Sequence, residues 1–312
     1  MIKVVRYSKD IEQQWNNFVN SGKKKHFMFN RNYMDYHEDR FLDHSLVFFN
    51  NKNRIIALLP ANERDFVLYS HQGLSFGGLI VDDNATCELV INIFDCIVDY
   101  LAKNKISSLI YKCIPRIYET KPSDEELYAL FLHDAQLIRR DSSVAINMRD
   151  RIPYQKRRVR TINKARKLNV IVEEVEQLNR YWSMLTNVLE KNHNATPVHS
   201  IDEIEGLKQK FPENIRCFVA KYDGEIVAGT LIYISDEVAH CQYLASNSVG
   251  RDIGALDLVL DELINKTFVD MRYFDFGISN EEQGRFLNTG LIAQKEGFGA
   301  RTIVHDFYEL KI

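Results

Sequence analysis

YLASNSVGRDIGALDLVLDELI, residues 243–264, changes character twice in 22 positions. Its first four residues close a strand pattern, EVAHCQYLAS. Gly250 and Gly254 then interrupt the chain, and ALDLVLDELINKTF follows with apolar residues at helical spacing. Upstream, IRCFVAKYD and EIVAGTLIYIS read as two more strands, joined by turns at YDGE and ISDE. Three strands with such short links form an antiparallel meander. Downstream come a strand, RYFDFGIS, a short helix in GRFLNTGLIAQKEG and a closing strand, ARTIVHDFYELKI.

Working back from the meander, SIDEIEGLKQKFP carries Ser200 and Glu203 in the S-x-x-E spacing of a capping box and stops at Pro212. QLNRYWSMLTNVLEKNH reads as a helix and VIVEEV as a strand. YQKRRVRTINKARKLN is a basic amphipathic helix, with Val159, Ile162 and Ala165 as its apolar face and seven Lys or Arg between Lys156 and Lys167. The first half repeats the order of strands, glycine-bearing stretch, helix and strand. HSLVFFNN, RIIALLPA and DFVLYS are strands. The helix at 85–103 is expected to turn Leu89, Ile93, Cys96, Ile97 and Tyr100 to one side, and SDEELYALFLHD to start at a serine cap. The pattern predicts an α/β chain of two related domains, 1–150 and 151–312.

Composition narrows the class. The chain has 312 residues, 45% hydrophobic and 27% charged, with a net charge of -3, so it is globular and carries no global cationic surface for nucleic acid. No apolar run reaches the roughly 20 residues of a membrane helix, and the first residues lack the apolar core of a signal peptide. A cytoplasmic protein is expected. Five cysteines without C-x-x-C spacing predict buried free thiols, and the nine histidines show no ligand spacing, so no metal is expected.

The stretch from Ile215 onward resembles the GNAT acyltransferase fold. The pieces FDFG and KEGFGA, the closing YEL and the basic RRVRTINKARKLNV are similar to the Fem-type branch, which transfers amino acids from aminoacyl-tRNA and pairs two GNAT-like domains. The resemblance covers 151–312 well and the first half loosely. It implies two tandem GNAT-like domains, with mixed, mainly antiparallel sheets flanked by helices. It implies an acyl donor such as acyl-CoA, with aminoacyl-tRNA as the alternative. The acceptor would be a small-molecule amine on a cell-envelope or sugar precursor, a nucleotide-linked precursor among them. A binding module that kept the fold and lost the donor site is the competing reading. The GNAT pyrophosphate loop, [QR]-x-x-G-x-[GA], is met by Arg251 and Gly254 but ends in Leu256, and Asp252 adds a negative charge.

The expected site follows from acyl transfer. A carbonyl must be polarised, and an amine must lose a proton. The resemblance assigns the first task to the backbone of a splayed fourth strand, here Gln242, Tyr243 and Leu244, with Arg251, Gly254 and Ala255 holding the donor. It puts Lys295 near the transferred carbonyl, where a cation stabilises an oxyanion; a solvated helix lysine is the alternative. His199 is a candidate base and Tyr308, in YEL, a further candidate catalytic group. Substrate contacts are expected from Arg157 and Arg160 on the basic helix and from His193 in the loop before Ser200. Asp275 joins them, with a strand-end anchor as the alternative. The same holds for His71, Gln72 and Ser75 in YSHQGLSFGGLIV, where Gly77 and Gly78 point either to an acceptor contact or to a bulge beside a buried histidine.

Overall fold

The computed structural model describes residues 2–312, apart from the side chain of His193. The chain forms two compact units. The first runs to Asp141 and takes in Glu282–Arg285 and Val304–Ile312; the second comprises Ser142–Glu281 and Phe286–Ile303. The units therefore differ from the expected 1–150 and 151–312. The change of unit falls inside a strand rather than at the loop near Pro153, and the chain returns to the first unit at its end, because the last strand finds its hydrogen-bond partner there.

In the first unit, β1 (Leu46–Phe49) and β2 (Ile55–Leu59) form an antiparallel hairpin over the expected NNKN turn. Helix α1 (Cys87–Lys103) follows, capped by the Thr86 side chain. It buries Val90, Ile93, Phe94, Ile97 and Leu101, a face turned by about one residue from the one expected, with Phe94 fully enclosed. The next strand is β3 (Ser108–Lys112). The helix expected from Ser123 begins at Glu125, with Asp124 at its N-cap. The stretch after Tyr69 is a turn. Gly78 has φ +92°, and a Cβ on Gly77 would collide with the Ser70 carbonyl, so both glycines are required by geometry.

Strand β4 (Gln136–Asn147) holds the change of unit. The second unit continues with α2 (Lys156–Lys167), β5 (Ile171–Val175), α3 (Asn179–His193) and α4 (Ile201–Lys210). The meander is β6 (Ile215–Tyr222), β7 (Glu225–Ile234) and β8 (Val238–Ser246). Then come α5 (Ser248–Ile253), α6 (Ala255–Glu262), β9 (Tyr273–Ile278) and α7 (Thr289–Glu296). The final strand, β10 (Arg301–Lys311), pairs antiparallel with β3 through Phe307–Lys311. In the second unit the sheet order is β5-β6-β7-β8-β9-β4, antiparallel except where β8 and β9 run parallel.

Helices α2 and α6 share one core with the sheet, built from Ile162, Ala165, Leu258, Val259, Phe218, Phe274 and Phe298. Val159 is 43% exposed, and its expected place on the buried face is taken by Arg158. The capping box on α4 forms as the spacing predicts, with Ser200 Oγ accepting from the Glu203 amide and Glu203 accepting from the Ser200 amide. Of the five cysteines, Cys113, Cys217 and Cys241 are buried, but Cys87 is exposed and Cys96 half-buried, which corrects the expectation of uniformly buried thiols.

Candidate functional site

A cleft of about 540 Å³ opens in the second unit where β8 leaves the sheet. Val238, Ala239 and His240 pair with Tyr273, Phe274 and Asp275, and the parallel pairing goes no further. Beyond His240, the open side of β8 faces the cleft, and Leu244, Ala245 and Ser246 line it. On its other side β8 stays paired with β7, but the register slips: Tyr243 opposes Leu231 and Cys241 opposes Ile232, leaving Gln242 as the extra residue of a bulge. Tyr181 of α3 anchors this point. It is fully buried, its hydroxyl lies 3.3 Å from the Gly229 carbonyl and 3.2 Å from the Tyr243 carbonyl, and its ring leaves no room for a side chain at Gly229.

Helix α2 supplies a cationic wall. Arg157, Thr161 and Lys164 recur at three- and four-residue spacing and line the cleft together. Lys164 donates through Nζ to the Asp252 carbonyl at 2.6 Å. Arg158 also reaches the cleft, but it spans to Asp257 in a buried ion pair with contacts of 2.7 and 2.6 Å. Arg166 pairs with Asp261. The acidic strand β5 and the Glu176 that follows it are neutralised elsewhere, Glu174 by Arg216 at 2.7 Å, Glu176 by Lys208 and Glu173 by Lys221.

Opposite α2, the segment at the pyrophosphate-loop position is helical. The Gly250 amide donates to Asn247 Oδ1 at 2.8 Å, the Arg251 amide to the Asn247 carbonyl at 2.9 Å and the Gly254 amide to the Gly250 carbonyl at 3.0 Å. Gly254 separates α5 from α6 with φ +81°, and any Cβ there would strike Thr161. Arg251 lines the cleft and donates to the Ser246 carbonyl at 2.9 Å. The inner wall is apolar, formed by Leu244, Leu256, Leu260, Phe276, Leu291 and Phe298.

Lys295, in the last turn of α7, lines the same cleft and is 5% exposed. Its Nζ donates to the carbonyls of Gly277 at 2.9 Å and Ile278 at 2.6 Å. Burial lowers its pKa to about 8, against the opposing pull of Asp275. It is not a solvated helix lysine.

The other expected residues divide. Leu244, Arg251, Gly254 and Arg157 line the cleft with Lys295. Gln242, Tyr243 and Ala255 belong to the elements that build it without being among its lining residues. Arg160 is exposed and is not among the residues that line the cleft. His199 is buried with Nδ1 2.6 Å from the Tyr243 hydroxyl, behind β8 rather than on the cleft wall. The His193 side chain lies outside the described residues. Asp275 is buried, with His240 Nδ1 at 2.8 Å, Ser143 Oγ at 3.1 Å and the Gly277 amide at 2.9 Å, so it is an internal anchor rather than a cleft residue.

Four expected residues sit in the first unit. Tyr308 pairs with Tyr111. His71 is buried and stacked on His37 with ring centroids 5.2 Å apart, and burial holds it well below the usual histidine range. Gln72 is tied to Asn62 by bonds of 2.9 and 2.7 Å, while Ser75 is exposed. His71 is thus buried, as the alternative reading of YSHQGLSFGGLIV expected, but it stands in a turn rather than beside a bulge.

Sequence reasoning missed Lys164, Thr161, Phe276 and Phe298 as cleft residues. The spacing of Arg157, Thr161 and Lys164 was the available signal. Among the described residues no group of three or more His, Cys, Asp or Glu side chains is disposed to hold a metal ion.

β8 thus parts from the parallel β9, carries a bulge at Gln242 and faces a helix start across the cleft. The acetyltransferase (GNAT) domain family model matches residues 147–283. This part of the chain is a GNAT domain. The class to which it belongs is therefore acyltransferase. The whole fold is that of two tandem GNAT-like domains, as solved structures bear out. FemX aligns at 10% identity over 99% of this chain and 97% of its own, with a TM-score of 0.71. The C-terminal domain of a putative lysylphosphatidylglycerol synthetase from Agrobacterium fabrum aligns at 12% over 97% and 92%, with a TM-score of 0.63. A tandem GNAT protein from the clavulanic acid biosynthesis pathway aligns at 10% over 100% and 98%, with a TM-score of 0.51. At such identities the likeness is one of fold. No curated protein matches the sequence.

Proposed function

We propose that the protein is an N-acyltransferase that moves an acyl group from a thioester donor such as acyl-CoA to an amine by direct attack. The observation that carries this reading is the opening of β8 beyond His240 onto a cleft that also holds Lys295 and a cationic rim. In this reading the donor carbonyl lies against the unpaired main chain of β8, whose N–H groups polarise it. The Lys295 ammonium stabilises the oxyanion of the tetrahedral intermediate. The amine nitrogen bonds to the carbonyl carbon, the carbon–sulfur bond breaks, and the thiolate leaves with the proton that the amine releases. The apolar wall takes the acyl group and the arm of the donor, while Arg157, Lys164 and Arg251 meet its phosphates. Direct attack is favoured over a cysteinyl intermediate because burial pushes the thiols of Cys217 and Cys241 up, away from the thiolate. An amine on a cell-envelope or sugar precursor and a cytoplasmic setting belong to the same proposal. No helix among the described residues is long and apolar enough to cross a membrane.

One observation favours aminoacyl-tRNA as donor instead. The amides of Gly250, Arg251 and Gly254 are all engaged within the chain, and Asp252 lines the cleft beside them. A donor held by cationic side chains, rather than by a cradle of loop amides, is compatible with an RNA end as well as with CoA.

Calorimetric titration with acetyl-CoA and CoA, followed by thiol release over a panel of amines, tests the reading. Micromolar binding, about -8 kcal/mol, with amine-dependent thiol release is the expected result. Amino-acid transfer from aminoacyl-tRNA without CoA binding selects the second donor. If neither donor binds or turns over, the proposal fails.

A further inference from the structure

Lys295 is aimed by groups that lie outside its own helix. Its Nζ rests on two consecutive carbonyls, Gly277 and Ile278. Consecutive carbonyls in a regular strand point to opposite sides, so β9 has to leave regular geometry to present both. It does so in a bulge. Asp275 opposes Ala145 and Ile278 opposes Ser143, so Phe276 and Gly277 together stand opposite Val144. Gly277 carries the irregular torsion, φ +73°.

What holds the bulge is the Asp275 carboxylate, which accepts the Gly277 amide at 2.9 Å on the same residue whose carbonyl receives Lys295. Asp275 is held in turn by Ser143 at 3.1 Å and by His240 at 2.8 Å. His240 occupies the last paired position before β8 opens. The line from His240 to Asp275, Gly277 and Lys295 therefore runs from the apex of the splay to the cleft.

We propose that His240 and Asp275 act together as positioning residues for Lys295: they fix the bulge that aims two carbonyls at the ammonium, and they supply the buried anion that keeps it charged. Burial pushes the Asp275 carboxyl up, but the opposing charge and hydrogen bond of His240, with the bonds from Gly277 and Ser143, outweigh it and hold the group below the usual carboxylate range. The groups that act on the Lys295 charge are Asp275 and Cys241, with the mutually neutralised Arg158 and Asp257 lining the same cleft. Arg157, Lys164, Arg251 and Asp252 also line the cleft, with Lys164 engaged on the Asp252 carbonyl.

The part played in transfer rests on the proposed acyl transfer; the titration of Lys295 does not. The test is the pH dependence of Lys295 modification by an amine-reactive reagent, read by peptide mapping in the full chain. Asp275→Asn keeps the shape and removes the charge. Its midpoint is expected to fall by roughly one unit, which makes modification about fivefold faster at pH 7. His240→Ala removes one of the three donors that hold the Asp275 carboxylate against the bulge, so the carboxylate loosens from the lysine and the midpoint falls in the same direction. The double variant falls no further than Asp275→Asn, because both act through one charge. An Asp275→Asn or His240→Ala protein that retains its fold by circular dichroism and titrates at the wild-type midpoint overturns the proposal. Should Asp275→Asn not fold, His240→Ala alone decides, its side chain being 18% exposed and open to replacement. Where transfer is measurable, kcat shifts its alkaline limb with the midpoint while KM holds. A shifted midpoint in a protein that transfers nothing sinks the function and leaves this inference standing.

Discussion

Replacing Lys295 with methionine separates what this lysine does for stability from what it does for chemistry. Burial holds its pKa at about 8 in the native protein, against the ordinary lysine value of 10.5. The difference is about 2.5 units, or about 3 kcal/mol at 1.36 kcal/mol per unit. The sign follows from proton counts. Between pH 8 and 10.5 the unfolded chain holds a proton that the native chain has released, so native stability rises with pH across that window. Below pH 8 both states carry the charge, and the native protein bears its full desolvation. Lys295→Met carries no such proton. Urea denaturation of both proteins at pH 7, 8, 9 and 10 is the assay, and other titrating groups, Lys112 among them, cancel in the difference. Wild type is expected to gain on the variant by about 2–3 kcal/mol between pH 7 and 10. Curves that stay parallel across this range would refute the reasoning, since a lysine without a depressed pKa gives no differential slope there. The same substitution is expected to lower acyl transfer by about 10²–10³-fold if the ammonium stabilises the oxyanion, and wild-type transfer should decline as pH rises through about 8.

Other outcomes follow from the same geometry. Arg158→Met strands the buried Asp257 carboxylate and should destabilise the protein by about 3–5 kcal/mol in denaturant unfolding. Arg157→Gln with Lys164→Gln, on the exposed wall of the cleft, should weaken donor binding about tenfold and flatten its salt dependence, as calorimetry at two ionic strengths would report. Gly254→Ala forces a side chain into positive φ and against Thr161, and is expected to lower stability by more than about 1 kcal/mol. Burial lowers the pKa of His305 from 6.5 to about 4. The unfolded chain binds its proton first as pH falls, so stability should drop by about 3 kcal/mol between pH 6.5 and 4, and His305→Gln should be free of that drop.

The local rules worked where the deciding partners lie close in sequence. Ser200 and Glu203 are three residues apart, and their capping box formed as written. The meander turns at YDGE and ISDE are equally local, and β6, β7 and β8 formed around them. Helix faces were less legible. The face of α1 was expected on Leu89 and Cys96 but formed on Val90 and Phe94, because a turn of one residue leaves the periodicity almost unchanged and only the docking surface chooses between them. The helix Glu12–Ser21 and the strand Lys3–Arg6 were not read at all, since each is short and has its partners in residues far along the chain.

By itself, the sequence determined the order of strands and helices from the meander to the end, the glycine-marked breaks and the basic face of α2, since these follow from residue spacing and backbone chemistry. Lys295 was singled out by the resemblance of KEGFGA to the Fem-type branch. Tertiary structure decided which charges are available to a ligand. Three arginines stand within four positions of α2, yet one is buried against Asp257, 99 residues away, one lines the cleft and one faces outward. The parting of β8 from β9, the bulge at Gln242 and the carbonyl pair under Lys295 likewise depend on strand register. Register is a relation between distant segments, fixed by how their side chains pack, and no single segment encodes it.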